Sequence, residues 1–71
     1  MNKLKICVQY YSHRNKAIES ILKADPEATI KIKNRWDFKV LTKLTPTQVC
    51  EKLVYCFANE DGFTVKKTLF F

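Results

Sequence analysis

One glycine, one histidine, one tryptophan, one methionine and two prolines stand among 71 residues, and acids number only seven against thirteen Lys and Arg. Gly62 being the only glycine, the chain has no flexible linker, and the glycine-rich stretch that precedes a phosphate-holding helix N-terminus is missing. Three cysteines without a Cys-x-x-Cys pair make neither a disulfide framework nor a spaced metal or redox motif. No apolar run approaches the roughly 18 residues needed to cross a bilayer. Met1-Asn2-Lys3 leads into alternating lysine and apolar residues rather than a signal-peptide core, so the expectation is a soluble, unexported, cytoplasmic protein without a membrane partner. Carboxylates are scattered: Glu19, Glu51 and Glu60 fall on helix surfaces and Asp25, Glu27 and Asp61 near turns, so no acid/base pair can be named.

What remains is a chain with 46% hydrophobic and 13% aromatic residues and a formal charge of +6. That apolar content argues against disorder. Its length supports one core, hence a single domain over residues 1–71, which buries only about 60% of its unfolded surface and so gains from partners or self-association.

The chain divides into six elements. Leu4, Ile6, Val8 and Tyr10 alternate with Lys3, Lys5, Cys7 and Gln9, the period of a half-buried strand. Ser12 offers an N-cap to a helix over about 13–24, with Ala17, Ile18, Ile21 and Leu22 at helical spacing, and Asp25-Pro26 stops it. Ala28, Ile30 and Ile32, then Phe38 and Val40, alternate with polar residues as a hairpin. Thr45-Pro46-Thr47-Gln48 has the form of a capping box with proline at the first helical position. Val49, Leu53, Cys56 and Phe57 form the apolar stripe of this second helix, and Asn59-Glu60-Asp61-Gly62 ends it. A last strand runs from Phe63 through Val65 to Leu69.

The order β-α-β-β-α-β is the split βαβ arrangement. With right-handed crossovers, two helices cover one face of a four-stranded antiparallel sheet in spatial order four, one, three, two, a ferredoxin-like α+β fold. The alternative is an α+β sandwich with another strand order.

Parity settles the hairpin. A two-residue loop would turn the second strand's lysines into the core, whereas an odd loop of Asn34, Arg35 and Trp36 sets Lys33 against Asp37, Ile32 against Phe38 and Lys31 against Lys39. A five-residue loop keeps the same parity, and either way Arg35 and Trp36 lie at or near the tip, with Trp36 partly exposed or, in the alternative, folded back as a lid on the core edge. The face away from the helices carries Lys3, Lys5, Cys7, Gln9 and Tyr11, then Thr29, Lys31 and Lys33, then Asp37, Lys39, Leu41 and Lys43, then Thr64, Lys66, Thr68 and Phe70. Seven of thirteen basic residues share that surface with one acid, Asp37.

A solvated sheet face accounts for lysines in general. It does not account for like charges set directly opposite each other, which weaken a strand pair. The first functional expectation is therefore a non-enzymatic module that binds a polyanion, RNA or single-stranded nucleic acid ahead of duplex DNA, through Lys3, Lys5, Lys31, Lys33, Arg35, Lys39, Lys43 and Lys66. Tyr11, Trp36 and Phe70 are its stacking candidates. An RNA-recognition motif shares the topology but sets aromatics on the central strands, where this chain has Lys5, Cys7, Lys39 and Leu41. The alternative is an interaction module or inhibitor, in the manner of a virus-encoded accessory regulator acting in the host cytoplasm, that docks an acidic protein surface by strand addition. An edge-strand homodimer suits the same edges.

Catalysis has little to draw on, and no cofactor or metal is expected. A small nuclease or phosphatase would require His13 or Cys7. His13 reads as a solvated residue in the first turn, and the lysines around Cys7 should lower its pKa. The Ser12–Asn15 helix start resembles the phosphate site of acylphosphatase-type domains without their glycines. Cys50 and Cys56, about 120° apart around a helix, read as core residues beyond bridging distance.

Overall fold

Strict alternation of lysine with branched apolar residues makes the first strand two-faced. The computed structural model describes residues 1–10, 12–57 and 62–71. In it, Leu4, Ile6 and Val8 of β1 (Asn2–Val8) are buried while Lys3 and Lys5 are exposed on the other side. The remaining elements are α1 (Ser12–Ala24), β2 (Thr29–Ile32), β3 (Asp37–Thr42), α2 (Pro46–Phe57) and β4 (Phe63–Lys67). The strands form one antiparallel sheet in order β2-β3-β1-β4, and both helices pack on the same side of it. This is the ferredoxin-like α+β arrangement expected from the element order.

The core lies between that side and the helices. Leu4, Ile6, Val8, Phe38 and Val40 from the central strands meet Ala17 and Ile21 of α1 and Val49 and Leu53 of α2. Truncating one of the large members to alanine typically costs about 2–5 kcal/mol, because the vacated space refills only in part. Ile32 has the core parity yet is 54% exposed, at the end of the short edge strand β2. Cys56, expected in the core, is exposed, and Cys50 is half-buried.

Two local devices set the helix ends. At α2, Thr45 Oγ1 accepts from Gln48 N at 3.1 Å and Gln48 Oε1 accepts from Thr45 N at 2.9 Å, the reciprocal capping box. At the end of α1, the fully buried Asp25 takes the hydroxyl of Thr42 at 2.6 Å and the amide N–H groups of Lys43 and Glu27 at 3.2 and 3.3 Å. A buried carboxylate beside a helix C-terminus is electrostatically unfavourable unless several donors meet it, and these three tie the α1–β2 corner to the end of β3. Ser12 is the first residue of α1 rather than the cap before it. The expected C-terminal stop at Asn59, Glu60 and Asp61 lies outside the described residues, and α2 ends at Phe57. β4 stops at Lys67, two residues short of expectation, and residues 68–71 lie outside the strand.

Candidate functional site

Register builds the site. Lys31 of β2 stands opposite Lys39 of β3, Lys39 opposite Lys5 of β1, and Lys5 opposite Lys66 of β4. All four side chains point away from the helices, so a single row of lysines crosses every strand of the sheet. Lys3 lies two residue pairs to one side of the row, opposite Leu41. Lys33 continues beyond Lys31 at the hairpin, its N–H donating to Asp37 O at 3.0 Å. Lys39, the half-buried member, has its pKa pushed down by desolvation and then by the charges of Lys33, Lys31 and Lys5.

The hairpin has the odd loop that parity requires, with Ile32 opposite Phe38 and Lys31 opposite Lys39. Asn34 Oδ1 accepts from Trp36 N and Asp37 N at 2.9 and 2.8 Å, and Arg14 of α1 donates to Asn34 O at 2.9 Å, so the turn is tied to the helix layer. Arg35 is exposed in this loop. Trp36 is 46% exposed, and its carbonyl accepts from Val8 N. That bond extends the β1–β3 register by one pair and sets Trp36 against Val8, a residue of the helix side, so Trp36 sits on the rim and not among the lysines.

A further expected member lies beside a carboxylate. Lys43 Nζ lies 4.0 Å from Asp25 Oδ1 at the α1–β2 corner, with its side chain 64% exposed. Tyr11 lies outside the described residues, and Gln9 comes after the end of β1. Phe70 does reach the lysine face, but by another route than the expected strand alternation: it belongs to the segment after β4, is 77% exposed, and its carbonyl accepts from Lys39 Nζ at 3.1 Å.

No protein-family model, curated protein or solved structure matches this chain. The chemistry of the site therefore rests on its own geometry.

Cys7 departs from its expected behaviour. It stands opposite Asp37 across the β1–β3 pair, and hydrogen bonding toward that carboxylate, followed by burial and the Asp37 charge, raises its pKa above the ordinary 9.0 despite opposing pulls from Lys5 and Lys66. Asp37 is correspondingly held below 3.8 by Cys7 first, then Asn34. A protonated thiol is a poor nucleophile. His13 also differs from the solvated residue expected: it is half-buried, stacked on Phe57 at 4.6 Å between ring centroids and edge-on to Tyr10 at 5.4 Å. Among the described residues, no three His, Cys, Asp or Glu side chains are grouped to hold a metal ion, and no helix is long and apolar enough to cross a membrane.

Proposed function

We propose that this chain is a small non-enzymatic binding module whose lysine face engages a polyanion in the cytoplasm, RNA or single-stranded nucleic acid first among such ligands. The observation that carries this reading is the row Lys31, Lys39, Lys5, Lys66. Adjacent strands lie about 4.8 Å apart, so the row spreads four ammonium groups over roughly 14 Å. Each like-charged pair weakens the sheet, and alternating signs would have kept the face soluble without that cost. A ligand with closely spaced negative charges removes the repulsion and releases counterions as it binds. A sheet surface fits an extended single strand better than a major groove, and Phe70 supplies an exposed ring for base stacking at the face.

Titration of a fluorescently labelled single-stranded oligonucleotide across a salt series tests this. Affinity should fall steeply with salt, and Lys5→Glu with Lys39→Glu should abolish binding in a folded protein. No measurable affinity at low salt, or affinity indifferent to salt, would overturn it.

A second reading, docking of an acidic protein surface by strand addition, draws on the edge strand β2 with its exposed Ile32. It requires co-purification that survives nuclease treatment.

A further inference from the structure

The lysine face is already partly covered by the chain's own end. Beyond β4, Thr68 N donates to Lys3 O at 3.0 Å and Thr68 Oγ1 donates to Phe70 O at 3.2 Å, a local bond that folds the backbone back on itself. Phe70 O also accepts from Lys39 Nζ at 3.1 Å, and Phe71 O accepts from Lys31 Nζ at 2.9 Å, with the Phe71 ring centroid 5.9 Å from that same Nζ. Residues 68–71 thus pass over the sheet from the β4 side toward β2, and they occupy two of the four lysines in the row. Among the described residues, Lys5 and Lys66 make no side-chain hydrogen bond.

The nature of these contacts matters. Leu69 is 83% exposed and Phe70 77% exposed, so Phe71, half-buried, is the one large apolar side chain that helps to hold the segment down. Its grip on Lys39 is through the neutral carbonyl oxygen of Phe70, a weaker partner for an ammonium than phosphate or carboxylate oxygens. Such a strap shields two cations while it lies closed and yields to a stronger anion.

We propose that residues 68–71 are an internal competitor at the polyanion site, withholding Lys31 and Lys39 until a ligand displaces them. This rests on the polyanion reading of the lysine face. First contact then falls to Lys5, Lys66 and Lys3, and the β2–β3 half of the row joins on opening.

The test uses the full chain with Thr68→Pro, which removes both the N–H given to Lys3 and the hydroxyl given to Phe70, and whose restriction on the preceding residue suits the strand conformation of Lys67. Lysine-resolved reductive methylation, read by mass spectrometry, should find Lys31 and Lys39 slower than Lys5 and Lys66 in the parent, with the rates converging in the variant. Two probes, inorganic polyphosphate and labelled oligothymidylate, are then titrated against salt. The variant should bind both probes about tenfold more tightly at low salt, with the log–log salt slope for oligothymidylate unchanged, because the same lysines meet the phosphates once the strap is displaced. Thr68→Ala, which loses the hydroxyl alone, should move every readout the same way by less, and it carries the test if the proline variant fails to fold. Equal methylation rates in the parent, or unchanged affinities on opening, would overturn the strap. Tighter polyphosphate binding by the variant with no oligothymidylate binding by either protein would keep the strap and refute the nucleic-acid reading.

Discussion

Lys5 and Lys39 stand directly opposite each other on the two central strands, with Lys66 on the far side of Lys5 and Lys31 on the far side of Lys39. Lys5 therefore has a lysine on both sides. Replacing it with glutamine removes two repulsive cross-strand pairs and should raise the unfolding temperature by a few degrees. The same variant should bind a single-stranded oligonucleotide more weakly, with a salt slope shallower by about 0.7. Thermal unfolding and a salt titration on one preparation check both; a variant that is less stable would remove the reason for regarding the row as a functional cost.

Asp25 should be the most sensitive polar position. Asp25→Ala leaves the buried Thr42 hydroxyl and the Lys43 amide without their acceptor, and an unfolding temperature lower by about 10 °C or more is expected from the loss of charge-assisted bonds. Its hydrogen bond to Thr42, then those from the backbone, hold its pKa below 3.8. The unfolded chain thus takes up the proton first as pH falls. The stabilisation is present above about pH 5, declines through the ordinary carboxylate range and is lost as pH passes the folded-state value. Asp37, also lowered, adds to the same acid limb. Denaturant unfolding at a series of pH values should give a shallower acid slope for the alanine variant than for the parent.

The capping box at α2 has a modest and separable value. Thr45→Ala should cost about 1 kcal/mol, or roughly 4–8 °C in Tm, while Thr45→Ser should be close to neutral because the hydroxyl acceptor is kept. Urea unfolding of the three proteins checks this.

Cys7 should become more reactive when its partner loses charge. Asp37→Asn removes the carboxylate that raises the thiol pKa and leaves Lys5 and Lys66 to lower it. The pH at which iodoacetamide alkylation reaches half its maximal rate should shift downward. An unchanged profile would mean that burial alone protects the thiol.

Much of this molecule is legible in the residues themselves. Strand parity is a local rule, because successive side chains must alternate across a pleated backbone. It places Lys31 against Lys39 and requires an odd number of loop residues from spacing alone. The capping box is equally local, its two bonds joining residues three apart. Asp25 is harder to read. A carboxylate ahead of Pro26 signals a turn, but its donors Thr42 and Lys43 lie 17 and 18 residues away, and only the corner where α1 meets the end of β3 unites them. The same corner brings Lys43 Nζ within 4.0 Å of that carboxylate.

The sequence by itself determined the element order, the separation of apolar from basic residues on two sides of the sheet, and the concentration of the +6 charge on the open one, since all three arise from local periodicity. Tertiary structure alone decided which lysines are available. Thr68 to Phe71 have no periodic signal that distinguishes a longer β4 from a segment folded over the face, and the choice is made by bonds to Lys3, Lys39 and Lys31, which lie 31 to 65 residues away in the chain. His13 against Phe57 and Cys7 against Asp37 were decided in the same way. Such contacts depend on where distant strands and helices come to rest, and no local rule of spacing contains that information.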